Sequence, residues 1–374
     1  MSNILDYIGW RGDLSFGNAP LCPPDALIFS VLAYVDLTGA VPRDPREEPV
    51  RLSEAAARYF EEDRAPTAHD ALLRTMAAST RFGSLRLLGA VRQTDKEHGV
   101  QFGAVSVLLP GGGLFAAFEG TDDSLVGWKE DFRMCYECPV PAQRMAARYF
   151  EAVAAAYPLR RLYLGGHSKG GNLAMYAAVC AGPAAKERIK TVYNNDGPGF
   201  CDGTIYSPAF AAVRDRVRTY LPASSFVAVL LEHDQKHDVV AGTGRGIFQH
   251  DPYAWQIQGK SFVPAERRTA FGERTEAILD EFLTTLRPAR RRQFCEALFT
   301  VLEGSEQETI SGINKNKRES MRNIVRAYGA LPPDMRQVLA DTVAALQRAA
   351  RTVDRRKEKK RAAMPASEET TDEG

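Results

Sequence analysis

Gly166-His167-Ser168-Lys169-Gly170 is the stretch of this 374-residue chain with the clearest capacity for chemistry. It is a G-x-S-x-G pentapeptide. An apolar run (Leu162, Tyr163, Leu164) precedes it and a helix-like run (Leu173, Ala174, Tyr176, Ala177) follows. Strand, serine and helix in that order describe a nucleophile elbow, in which a sharp turn exposes the hydroxyl. The turn strains the serine backbone and crowds its neighbours, so the residues two before and two after must be almost without side chains. Gly166 and Gly170 meet that need. The helix that follows favours negative charge at its N-terminus. The backbone N–H of Lys169 is therefore expected to form half of an oxyanion hole.

A serine needs a base, ordinarily histidine, and an acid to orient that base. Elbow enzymes of the α/β-hydrolase type run in chain order serine, acid, histidine. Of the six histidines only His233, His237 and His250 follow Ser168. His233 ends an apolar run and His237 sits in a polar turn. His250 lies in a loop, Gly246-Ile-Phe-Gln-His-Asp-Pro, before the expected last strand, and is the favoured base. Asp196 follows a strand and precedes the turn Gly197-Pro198-Gly199, which aims a carboxylate off the sheet end. Asp234 and Asp238 remain rivals, because they follow the next expected strand. Lys169 reads as a solvent-facing or salt-bridged neighbour of the serine, not a second base. His167 reads as packing beside the elbow strand, since residues alternate faces there.

The second oxyanion donor is sought after the strand Leu114–Phe118. Phe118-Glu119-Gly120-Thr121, followed by Trp128–Asp131, resembles class 3 (fungal-type) lipases, which carry an F-R-G-[ST] turn and then Trp-x-x-Asp. By that resemblance Thr121 donates to the oxyanion through its backbone N–H and its hydroxyl. Glu119 replaces the family's arginine, so packing there must differ. The acid also departs: class 3 lipases have Asp in D-x-V-x-x-x-P, where this chain has serines at 224 and 225. Asn195-Asp196-Gly-Pro-Gly-Phe looks more like the acid turn of pancreatic-type lipases. Four motifs in order resemble a bacterial lipase-like family of unknown function over about residues 1–260. They are Asp6-Tyr-x-x-Trp10-Arg-Gly-Asp-Leu-Ser-Phe16, Gly166–Ala174, Asp196–Phe200 and Gln249–Pro252. The resemblance implies an α/β hydrolase with no established substrate.

The elements that must position these residues follow from periodicity. Residues 1–80 read as an N-terminal helical segment, with helices over Asp25–Leu37, Glu54–Phe60 and Ala68–Ala78. Residues 81–263 read as an α/β-hydrolase core. Its strands are expected at Leu85–Arg92, Gln101–Leu109, Gly113–Phe118, the elbow strand, Ile189–Asn195, Phe226–Glu232 and lastly Tyr253–Ile257, with an amphipathic helix over Pro141–Tyr157. Alternation of strand and helix implies a mostly parallel sheet flanked by helices on both faces. Residues 264–350 read as a C-terminal helical extension, and 351–374 as a disordered charged tail. Either terminal set of helices is a candidate lid, though simple packing is the plainer reading.

A formal net charge of +1 gives no reason to expect nucleic acid as a partner. No apolar segment is long enough to span a bilayer, and the N-terminus lacks the pattern of a secretory signal, which points to the cytoplasm. The cysteines (Cys22, Cys135, Cys138, Cys180, Cys201, Cys295) are too few for a disulfide framework. Cys135-Tyr-Glu-Cys138 lacks the second pair or histidines that zinc wants. No metal or cofactor is expected. The leading expectation is a serine hydrolase acting on a lipid-like ester or thioester. The alternatives are an inactive α/β-hydrolase scaffold that binds a partner, and acyl transfer by the same residues.

Overall fold

In the computed structural model, residues 2–363 are described apart from 202, 229 and 235, with side chains to 359. An eight-stranded sheet runs in sequential order: β1 (Val50–Arg51), β2 (Arg86–Asp95), β3 (Val100–Leu109), β4 (Gly113–Phe118), β5 (Arg161–His167), β6 (Ile189–Asn195), β7 (Val217–Pro222) and β8 (Asp238–Val240). β1 to β4 pair antiparallel and β4 to β8 parallel. Glycines at positive φ make the tight links, Gly99 between β2 and β3 and Gly111-Gly112 between β3 and β4. This is an α/β-hydrolase fold, with a central sheet flanked by helices.

The two faces are covered from different parts of the chain, and topology explains why. Parallel strands in sequential order, joined by right-handed crossovers, put all their crossover helices on one face. That face packs on Pro141–Ala156 and Lys169–Cys180, through Phe150, Val153, Leu173 and Ala177. The opposite face would be bare. The N-terminal helices Ile4–Arg11, Pro23–Leu32, Leu52–Glu61 and Asp70–Ala78 cover it, burying Ile28, Phe29 and Leu32 with Phe115 and Tyr193. The helix expected over 25–37 ends at Leu32, which frees Tyr34 to reach the elbow.

Three expectations for the second half need correction. Phe226–Glu232 is not a strand. Val217–Pro222 occupies the place beside β6. Backbone groups of 226–232 turn instead to the loop after β6: Gly199 N–H donates to the Leu230 carbonyl (2.9 Å), and Phe200 and Glu232 exchange two bonds of 2.9 Å. Tyr253–Ile257 is not the last strand of the sheet. Pro252–Ala254 is a 3₁₀ turn, and Ile257–Gln258 pairs with Ser261–Phe262 in a separate hairpin. The tail expected to be unstructured from 351 is helical to Ala363, because the helix Pro333–Ala363 continues through the basic cluster. Residues 364–374 lie outside the described residues.

The C-terminal helices Ala270–Thr285, Pro288–Glu303, Ile310–Lys315, Lys317–Ala330 and Pro333–Ala363 are fastened to the core at several points. Thr269 N–H donates to the Ala223 carbonyl (2.9 Å), Leu125 N–H to Glu308 (2.8 Å), and Ile310 N–H to Asp123 (3.0 Å). Among the described residues no helix is long and apolar enough to cross a membrane.

Candidate active site

β5 ends at His167, and the helix Lys169–Cys180 begins two residues later. Ser168 joins them at φ 56°, ψ −132°, a region disfavoured for residues bearing a Cβ. Its N–H donates to the Asn195 carbonyl (3.0 Å), and its own carbonyl accepts from Gly171 N–H (2.9 Å). The flanking glycines are required sterically. A Cβ on Gly166 would collide with the Gly170 backbone, and one on Gly170 with the Phe118 carbonyl oxygen.

Asp196 follows β6 and also takes a positive φ, 55°. It is fully buried. Its N–H donates to the Tyr220 carbonyl (2.8 Å), and its Oδ1 accepts from Ala228 N–H (3.2 Å). Its Oδ2 faces His250 Nδ1 at 2.7 Å. The pair leaves Nε2 as the imidazole's basic nitrogen. Asp234 is instead in a surface ion pair with Arg214 (2.7 Å), and Asp238 is exposed on β8, so neither rival reaches His250. His233 and His237 border a small pocket behind the acid turn, away from Ser168.

Several residues that hold this geometry have no individual role assigned from the sequence, although Asn172 and Gln249 fall within its family motifs. Asn194 Oδ1 accepts from Gly197 N–H (2.9 Å), and Asn172 Nδ2 donates to the Gly199 carbonyl (2.7 Å), so two amides clamp the Asp196 turn. Gln249 fixes the loop that carries His250. It accepts from Ser224 N–H (2.8 Å) and donates to the Gly242 and Gly244 carbonyls (3.1 Å each). His167 is buried, as expected, but it also bonds the neighbouring loop: Nε2 lies 2.7 Å from the His250 carbonyl and Nδ1 3.0 Å from Tyr34 Oη. A carbonyl only accepts, so Nε2 carries the proton and Nδ1 accepts from Tyr34. Burial, and then the nearby His250, hold the His167 pKa well below the ordinary histidine value, which keeps it neutral.

The oxyanion side is more polar underneath than the sequence suggested. Lys169 is not solvent-facing. Its ammonium is buried, 3.2 Å from Glu130 and 2.9 Å from the Gln101 carbonyl, while Glu130 also accepts from Gln101 and Ala142 N–H groups (3.1 and 2.8 Å). The Lys169 backbone N–H, at the first helical position, has no acceptor within the helix. The Thr121 hydroxyl donates to Asp131, so only the backbone N–H of Thr121 is left of the two donors expected from it. Burial pushes the Asp131 carboxyl up to about 6, against the pull of Lys169 and this hydroxyl. Glu119, standing where the class 3 arginine would be, is buried. Arg92 approaches it to 2.7 Å without the alignment of a hydrogen bond, so burial prevails and the carboxyl is pushed up to about 8.

Ser168, His250 and Thr121 open onto one cavity of about 610 Å³ with mostly apolar walls. One wall comes from the core and the 226–230 segment (Trp128, Phe132, Phe226, Leu230). Another comes from the C-terminal helices (Leu279, Phe282, Leu283, Phe294), and His69 and Tyr34 contribute from the N-terminal segment. Cys135 also lines it, and burial pushes its thiol up to about 12. That places it far from the reactive thiolate range.

A strained serine between strand and helix, a buried aspartate on an imidazole, and an apolar cavity at the C-terminal end of a parallel sheet define the lipase-like class of α/β-hydrolase folds. Within that class the chain belongs to the Mbeg1-like family, whose model matches residues 76–300. The match runs past 264 into the C-terminal helices, further than the motifs read from the sequence, and it leaves the opening 6–16 motif outside. No curated protein matches the chain. Two solved structures are similar at 0.36 in TM-score: a mutant form of MDLA from Penicillium cyclopium (10% identical, covering 67% of this chain and 89% of that one) and Rhizomucor miehei lipase in a propeptide complex (12% identical, 60% and 78%).

Proposed function

We propose that this protein is a serine hydrolase of the lipase/esterase type that cleaves a carboxylic ester or thioester. The observation that carries the reading is the convergence of Ser168 and His250 on one apolar cavity, with Asp196 2.7 Å behind the imidazole. Ser168 Oγ attacks the acyl carbonyl carbon while His250 Nε2 takes its proton. The carbonyl oxygen becomes an oxyanion, held by the backbone N–H groups of Lys169 and Thr121. Collapse expels the alkoxide or thiolate, which leaves with the proton from His250. Water then attacks the acyl-serine, giving its proton to His250, and the acid is released as Oγ is reprotonated. Asp196 holds the Nδ1–H tautomer and offsets the imidazolium charge. The apolar walls suit a hydrocarbon acyl chain.

Fluorophosphonate labelling tests this, comparing wild type with Ser168→Ala and His250→Ala, followed by nitrophenyl esters of increasing chain length. Labelling lost in both variants, with turnover peaking at one chain length, supports the reading. A folded wild type that neither labels nor turns over any ester would leave the inactive scaffold as the better account.

A further inference from the structure

The helix Lys317–Ala330 presents an unusual outer face. Met321, Val325 and Tyr328 are 51%, 62% and 42% exposed, a concentration of apolar surface that no other described residue covers. At 3.6 residues per turn the three lie in one stripe. The opposite side packs inward through buried Ser320 and through Ala327, whose Cβ abuts Gly304. Basic residues edge the stripe. Arg318 lies within it, Arg322 and Arg326 follow one border, and Lys317 stands on the other, with Lys315 at the end of the preceding helix; all are exposed. None of these five cations has a carboxylate partner among the described residues, although exposed arginines elsewhere on the same extension do, as Arg274 with Asp354. Glu319 is the helix's own acid, and it falls on the far edge from the stripe.

We propose that this face docks on an anionic lipid bilayer. The pattern is an interfacial amphipathic helix: apolar side chains for the acyl boundary, a tyrosine with an apolar body and a polar tip, and cations for the headgroup phosphates. Two other occupants fit less well. A second copy docking isologously would bring five unpaired cations against the same five. A nucleic acid would use the arginines but has no use for a solvent-facing Met-Val-Tyr stripe. The helix belongs to the extension whose residues 308–311 are bonded to 123–125, directly after the loop that carries Thr121. Docking would therefore anchor the protein through the segment attached to the rim of the cavity. The proposal stands whether or not Ser168 is catalytic.

The test is co-sedimentation of the full chain, in a Ser168→Ala background, with vesicles of phosphatidylcholine alone or mixed with phosphatidylglycerol, at low and high salt. Two variants are compared, Arg318→Gln/Arg322→Gln/Arg326→Gln and Met321→Ser/Val325→Ser, each checked for helicity. The expected result is binding to the phosphatidylglycerol vesicles only. The arginine variant weakens it by roughly a hundredfold, at about fivefold per charge near the surface, and the serine variant also weakens it. Binding that ignores lipid charge, or that neither variant alters, would overturn the proposal. So would self-association abolished by Met321→Ser/Val325→Ser without vesicle binding, or duplex DNA binding abolished by the arginine variant in its place.

Discussion

His167 Nε2 donates to the backbone carbonyl of His250 at 2.7 Å, so the residue before the serine fixes the peptide that carries the imidazole. The two elements are 83 residues apart in sequence, yet one hydrogen bond sets their spacing. A buried neutral histidine suits this task, because it can accept from Tyr34 on one nitrogen while donating on the other. His167→Phe keeps the volume and loses the donor. Its fluorophosphonate labelling should slow by roughly tenfold, the effect of one hydrogen bond of about 1.4 kcal/mol. His167→Gln, which retains a donor, should recover part of the rate.

The acid can be assigned by comparison. Asp196→Asn should lower kcat by about 10³–10⁴-fold, since an amide favours the wrong imidazole tautomer. Asp234→Asn and Asp238→Asn should leave kcat within about twofold, because one carboxylate bonds Arg214 and the other is exposed. Ester turnover of all three, purified side by side, checks this; a loss confined to Asp238→Asn would contradict the assignment.

Lys169 separates stability from catalysis. Its ammonium and the Glu130 carboxylate are both buried, with 1% and 0% of their side chains exposed. Lys169→Met strands a buried carboxylate and should cost about 3–5 kcal/mol in urea unfolding, while Lys169→Met/Glu130→Gln should regain much of that loss. The backbone N–H survives both changes. The labelling rate per folded molecule should therefore stay close to wild type.

Glu119 predicts a pH dependence of stability. Its folded pKa, about 8, lies above the ordinary 4.5, so the folded state binds the proton more tightly than the unfolded chain. That contribution is fully present below 4.5 and is lost as pH rises towards 8. Between pH 5 and pH 8 the wild type should lose stability, and Glu119→Gln should flatten the slope. Thermal melts of both proteins at the two pH values measure it.

The C-terminal helices shape the cavity, so filling it from that side should alter selectivity. Leu283→Trp adds bulk opposite the core wall. The best nitrophenyl ester should become shorter by several carbons, with the Ser168 labelling rate for a small fluorophosphonate nearly unchanged. An unaltered chain-length profile would mean that this wall does not meet the acyl chain.

The elbow was legible in the sequence because its constraints are local. Gly166, Ser168 and Gly170 are fixed by sterics within five residues, and the strand and helix flanks show in side-chain periodicity. The Asp196 turn is readable for the same reason, as a carboxylate between a strand and Gly-Pro-Gly. Periodicity failed where tertiary partners overrode it. The apolar run 226–232 has the composition of a strand, but Phe226 and Leu230 line the cavity and its backbone is bonded to the 196–200 turn. Val217–Pro222 has the polar Arg218 and Thr219 and a terminal proline, yet it pairs with β6. Residues 351–363 have a disordered composition but extend a helix packed on its neighbours, with Arg274 and Asp354 2.7 Å apart. Sequence alone thus determined the candidate nucleophile, its turn and the candidate partners, which depend on neighbours along the chain. Only the tertiary structure decided which aspartate meets His250, what Lys169 and His167 bond, and which helices wall the cavity, because each of those is a contact between residues far apart in sequence.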